Sequence, residues 1–183
     1  MPRTGQESAG VRGREPPVRI LVIVSGETVV PAAPEDVWGL VSDPARLPQW
    51  WPGVTRVEEA TADAWTTVLS SPKGKAVRVD YTRVEAEPER RLVWRQEVEE
   101  SPFERILASS TTEIALAPEA AGTRVRVAID QRPRGWARFA PLQFRAAGRR
   151  QVQGAVEGLA TVFASPARPA EPDASGLGGG ETE

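Results

Sequence analysis

At 183 residues, with 40% hydrophobic and 26% charged side chains, the chain has the size and balance of one globular domain, and is neither disordered throughout nor built to lie in a bilayer. It has no cysteine and no histidine, which removes disulfides, thiolate nucleophiles, Cys-ligated metals and the commonest general base, and with them most hydrolase and metalloenzyme chemistry. The formal net charge of −2 is unevenly placed: residues 165–183 carry −3, residues 1–17 carry +1, and the body between them is neutral, which argues against nucleic acid as the main partner.

Residues 1–17, MPRTGQESAGVRGREPP, are rich in Pro, Gly and charge and lack apolar periodicity, so they are expected to be a disordered tail; residues 165–183 read the same way. The structured domain is expected over 18–164. No basic stretch followed by an apolar segment and cleavage site stands at the N-terminus, and the longest apolar run, ILVIV at 20–24, is far short of the roughly 20 residues that span a bilayer. A cytoplasmic location without stable membrane insertion is the expectation.

VRILVIVSGETVV, residues 18–30, is β-branched and bounded by prolines and predicts a strand, with Gly26 a candidate bend. The period then changes. In PEDVWGLVSD, Pro34 suits a first helical turn, Glu35 and Asp36 favour the positive end of the helix dipole, and Val37, Leu40 and Val41 share one face. Asp43 before Pro44 has the form of an N-cap with proline at the next position, opening a second short helix that Pro48 keeps irregular and Pro52-Gly53 ends.

From residue 54 the chain alternates, and turn signals at 62–63, 71–75, 87–90, 100–102 and 118–122 cut six strands: 54–60, 64–70, 75–86, 91–99, 103–117 and 122–131. Leu92, Trp94 and Val98 share one face; Ile114 and Leu116, and Val125, Val127 and Ile129, do the same on their strands. The short connections imply an antiparallel meander with one solvated face. In the last segment, 135–164, Val152, Val156, Leu159 and Phe163 form the apolar stripe of a long helix that Pro141 kinks or begins, leaving Trp136 and Phe139 in a preceding turn. Between Arg132 and Arg150 stand six arginines and no carboxylate; a wetted helix face is the simpler reading, a basic strip for a partner the other.

A seven-stranded antiparallel sheet can bury its apolar face by curling around one terminal helix, with the two short helices plugging an end. The inferred interior face then holds polar and aromatic side chains among aliphatics, and buried polar groups must be paired, by a ligand, by water or by each other. The candidate cavity residues are Trp51, Trp65, Tyr81, Trp94, Gln96, Ser110, Thr112 and Phe144, with Gln131 as a further candidate. For Trp51 a place at the cavity mouth and a packing role weigh equally, whereas Trp38 and Trp50 read as packing residues. Small residues on the helix, Gly148, Gly154 and Gly158 among them, suit either a hollow interior or tight contact with the sheet. Catalytic groupings are thin: Asp80 and Glu113 fall on outer faces, and no residue is assigned a catalytic role.

The stretch VVPAAPEDVWGLVSDPARLPQWWPGV, together with ERRLVWR at 89–95 and AGTRVRVAID at 121–130, resembles the START-like (SRPBCC) superfamily, which includes Bet v 1-type proteins, bacterial polyketide cyclases or dehydrases and lipid-transfer proteins. The resemblance covers about residues 18–164. It implies an α+β helix-grip fold and a small hydrophobic ligand as partner (a lipid, an isoprenoid or a polyketide-like aromatic); with no Cys and no His in the chain, no metal or cofactor is expected. It does not select an activity. The first expectation is a non-catalytic carrier or sensor. The second is a polyketide cyclase or dehydrase, in which Tyr81 donates a proton and Arg78 or Arg83 polarises a carbonyl. The third is a module that meets a protein or the ribosome through the arginines of 132–150.

Overall fold

A computed structural model of the chain describes residues 20–70 and 74–164. Both expected tails, 1–17 and 165–183, lie outside the described residues. Seven strands form one antiparallel sheet: β1 (Val22–Val30), β2 (Val54–Glu58), β3 (Ala64–Ser70), β4 (Ala76–Glu87), β5 (Arg91–Gln96), β6 (Leu107–Glu119) and β7 (Gly122–Pro133). Their spatial order is β1-β7-β6-β5-β4-β3-β2, a meander whose first strand returns to pair with the last. Between β1 and β2 lie the helix α1 (Pro34–Val41) and a 3₁₀ turn (Pro44–Gln49); after β7 come a second 3₁₀ turn (Gly135–Phe139) and the long helix α2 (Pro141–Ala164).

Local chemistry explains the element ends. Pro34 opens α1 with Glu35 and Asp36 in its first turn, and the Asp43 carboxylate accepts a hydrogen bond from the Ala45 amide at 2.9 Å, capping the turn that Pro44 starts. Pro141 begins α2 rather than kinking it, and Trp136 and Phe139 sit in the 3₁₀ turn before it. Pairing of β1 with β7 runs without a register break through Gly26, so the bend expected there is not needed. Register shifts occur instead in the β2–β3, β4–β5 and β6–β7 pairings, and such bulges curl a sheet.

The expected strands 18–30 and 54–60 are trimmed, with residues 20–21 and 59–60 outside β1 and β2, and the largest departure comes after β5. Residues 97–99 and 103–106, which the alternation assigns to strands, leave the sheet. The Ser101 hydroxyl donates to the Val98 carbonyl at 2.6 Å and accepts from the Phe103 amide at 3.2 Å, and the amides of Ile106 and Leu107 both bond the Phe103 carbonyl at 2.9 Å. A serine hydroxyl that satisfies its neighbours' backbone groups competes with a ladder, so the chain turns here.

Helix α2 lies over β1 and β7, and its Val152, Ala155, Val156 and Leu159 join inner-face residues of the strands in one core. The small helix residues mark tight contact. A Cβ on Gly158 would come within 2.2 Å of the Trp50 carbonyl oxygen, and one on Gly148 within 2.5 Å of the Val24 side chain. On the outer face Arg91 bridges Glu85 and Glu113, and Arg124 and Arg126 both reach Glu27. These exposed pairs add little stability individually but keep that face wet. Among the described residues no helix is long and apolar enough to cross a membrane.

Candidate functional site

The plug packs where β1 ends and β7 begins. There Val37, Leu40, Leu47 and Trp50 join Leu116, Val125 and Leu159 in a continuous core. Toward the opposite end, where β5 and β7 end and β6 starts, the sheet and the first half of α2 stand apart. Between them lies an open-sided cavity of about 370 Å³, lined by Leu69 and Val79 from the sheet, Phe103, Ile106 and Leu107 from the turn into β6, and Phe144, Ala147 and Gly148 from α2. That volume lies at the lower end of the ~300–1,000 Å³ typical of small-molecule sites.

Five polar side chains interrupt this apolar wall: Tyr81, Gln96, Gln131, Gln143 and Gln151. The register explains three of them. Tyr81 pairs with Gln96 across β4 and β5, Ser110 pairs with Gln131 across β6 and β7, and the alignment of Arg95 with Thr111 puts these two pairs in one row across the inner face. Gln143 and Gln151 lie two turns apart on α2 and face that row. None of the four glutamine amides has a hydrogen-bond partner among the described residues, although Gln96 is only 8% exposed. No charged side chain lines the cavity among the described residues.

The Tyr81 hydroxyl is enclosed, and burial pushes its pKa up to about 12 against a smaller opposing effect of its hydrogen bond with Thr67. It is therefore a neutral donor at physiological pH. Its ring stacks on Trp65, with centroids 5.8 Å apart and planes 13° apart. Trp65 meets Trp94 edge-on at 5.8 Å, Trp94 meets Trp51 at 5.5 Å, and Trp51 meets Trp50 at 5.3 Å. A row of five aromatic rings thus runs from the plug to the cavity wall.

Of the candidate residues, the structure brings Tyr81, Gln96 and Phe144 to the cavity lining, together with Gln131. Trp51, Trp65 and Trp94 stand behind it in the aromatic row, all less than 7% exposed, so Trp51 is a packing residue of the plug side and not at the mouth. Ser110 and Thr112 are buried on the inner face beside the lining. The two arginines considered for carbonyl polarisation are committed elsewhere: Arg83 donates to the Ser42 carbonyl at 2.6 Å, and Arg78 pairs with Glu58 at 2.9 Å on the outer face. The sequence pattern does not single out Gln143, Gln151, Phe103 or Ile106. The two helix glutamines stand eight apart, about two turns, but which side of the helix meets the cavity is fixed only once its partner surface is known.

An antiparallel sheet curled on a helix, plugged at one end and hollow at the other, defines a START-like helix-grip protein, a fold that binds hydrophobic ligands. The family model for polyketide cyclase/dehydrase and lipid transport matches residues 22–164, and the chain belongs to that family. Among solved structures it is similar to the Zhui aromatase/cyclase from Streptomyces sp. R1128, with 18% identity, 83% of this chain and 99% of that one covered, and a TM-score of 0.66. A START superfamily protein from Mycobacterium smegmatis aligns at 13% identity over 78% of this chain and 97% of its own, with a TM-score of 0.62. The di-domain ARO/CYC StfQ from the steffimycin biosynthetic pathway aligns at 16% identity over 79% of this chain, with a TM-score of 0.64; the chain spans 51% of its length. At these identities the likeness shows the fold. No curated protein matches the chain.

Proposed function

We propose that the protein binds a small, uncharged, largely apolar molecule that carries several carbonyl or hydroxyl oxygens, and that it acts as a carrier or sensor of it. The observation that carries this reading is the set of four unpartnered glutamine amides and one neutral phenol facing a cavity with no charged lining among the described residues. Gln96 is buried, Gln131 and Gln151 are half-buried and Gln143 is exposed at the cavity edge, and amides that face a cavity without a protein partner bond a ligand oxygen or an ordered water there. A free fatty acid or a phosphorylated isoprenoid would bring an anion to a wall that offers no cation, whereas a hydroxylated aromatic or a neutral polyketide matches amide donors and acceptors.

Native mass spectrometry of the purified protein, followed by displacement of Nile red with a neutral polyhydroxylated anthraquinone and with palmitate, tests the reading. Displacement by the anthraquinone at micromolar concentration and weak displacement by palmitate are expected. The reverse order overturns it.

A cyclase or dehydrase reading is favoured by one feature, the proton-bearing Tyr81 hydroxyl at the cavity wall. With its pKa raised, Tyr81 would donate a hydrogen bond to a substrate carbonyl and stabilise an enol as it forms, rather than act as a base. Loss of turnover with retained binding in Tyr81→Phe would support that reading over a carrier.

A further inference from the structure

The arginines of 132–150 meet a second feature that the cavity does not account for. Trp136, Phe139 and Leu142 are 69%, 76% and 76% exposed and fall within one seven-residue stretch across the 3₁₀ turn and the start of α2. Single exposed apolar residues are ordinary, but a cluster of large ones on a surface marks an interaction site. Arg138 lies with its guanidinium 4.7 Å from the Phe139 ring centre. On α2, Arg145 and Arg149 follow Leu142 at spacings of three and seven and share its face. Arg132, Arg134 and Arg138 line a groove of about 430 Å³ beside the turn. The nearby carboxylates are few: Glu104 pairs with Arg134 at 3.4 Å, and Asp130 precedes Arg132 by two positions on β7. Arg132, Arg138, Arg145 and Arg149 have no ion pair among the described residues.

This surface flanks the cavity. The Arg134 amide bonds the Ile106 carbonyl at 2.9 Å, which ties the 3₁₀ turn to the cavity-lining turn before β6, and Leu142 directly precedes Gln143 and Phe144 of the lining. We propose that Trp136, Phe139 and Leu142, framed by Arg132, Arg138, Arg145 and Arg149, form a peripheral docking surface for an anionic lipid bilayer. The aromatic and aliphatic side chains enter the interface, where tryptophan is favoured, and the arginines pair with lipid phosphates while their stems lie along the apolar layer. Three large apolar tips inside a cationic rim complement an anionic interface better than an acidic protein, whose polar surface would leave those tips unmatched.

Co-sedimentation of the full chain with phosphatidylcholine vesicles, with and without phosphatidylglycerol, tests this. Binding to the anionic vesicles only, weakening as salt is raised, is expected, with a blue shift of tryptophan emission that Trp136→Ala removes. Arg138→Glu, Arg145→Glu and Arg149→Glu together should weaken binding on the order of a hundredfold or more. All these side chains are exposed, so the melting temperature should stay at the parent value, and the salt dependence of the parent chain is read whether or not a variant folds. Gln96→Leu, which alters the cavity, should bind vesicles as the parent does, so failure of the ligand reading and failure of this one are told apart. Absence of vesicle binding, equal binding to both compositions, or a dimer in light scattering that Trp136→Ala dissolves would overturn the proposal.

Discussion

Gln96 and Tyr81 face each other across one strand pair, and each leads to a measurable expectation. Replacing Gln96 by leucine removes a buried amide that has no partner among the described residues, so unfolding in urea should show stability unchanged or raised. The same change should weaken a ligand that bonds the amide by about five- to tenfold, the worth of one hydrogen bond. For Tyr81 the folded-state pKa of about 12 exceeds the ordinary value of 10, so above pH 10 the unfolded chain gives up a proton that the folded chain keeps. The contribution of Tyr81 to stability should be level below pH 10, fall by roughly 1 to 3 kcal/mol between pH 10 and 12, and level off beyond it, because each tenfold difference in proton affinity between the two states is worth about 1.4 kcal/mol. Urea midpoints for the parent and for Tyr81→Phe across that window check this, because the variant lacks that component of the slope. Both residues are legible from alternation on their strands. Gln143 and Gln151 are not, since a helix face is assigned only once its partner surface is known.

At the scale of elements, the close approach of α2 to the plug makes an unusual substitution costly. Alanine ordinarily stabilises a helix over glycine by roughly 1 kcal/mol, yet Gly158→Ala would press a methyl into the Trp50 carbonyl and should destabilise by about 1 to 3 kcal/mol. Leu159→Ala, which empties a fully buried position on the same helix, should cost about 2 to 5 kcal/mol. Thermal or chemical melts measure both; a stabilised Gly158→Ala would mean that the plug can move off the helix. Element type is readable wherever periodicity is long: Ala64–Ser70 falls on its expected bounds, and the α2 stripe faces the core with Phe163 only partly covered. The lapse at 97–106 has a local origin. Serine and proline at 101 and 102 signal a brief turn between two strands, but the hydroxyl of Ser101 holds both its flanks, and the longer turn that results supplies Phe103 and Ile106 to the cavity.

Over the whole molecule, the plug and the cavity divide the interior into a packed end and a hollow one. Ala147 is exposed at the cavity edge, so Ala147→Trp should block Nile red while leaving the melting temperature near the parent value. Dye binding unchanged in that variant would place the ligand elsewhere. The helix-grip order is legible because seven strands, a plug and a terminal helix permit few other ways to hide one apolar face; the hollow end is not, because volume depends on how far the sheet stands from α2. The aromatic row has an optical consequence. Four of the six tryptophans lie ring to ring, and Trp136 stands alone at the surface. Excitation absorbed at the plug can therefore migrate along the row to Trp65 beside Tyr81, and the near-ultraviolet circular dichroism should carry a coupled-indole signal that Trp94→Phe, in the middle of the row, divides. A chromophore seated against Tyr81 would then drain emission from tryptophans it never touches, so the chain reports occupancy of its own cavity without a label.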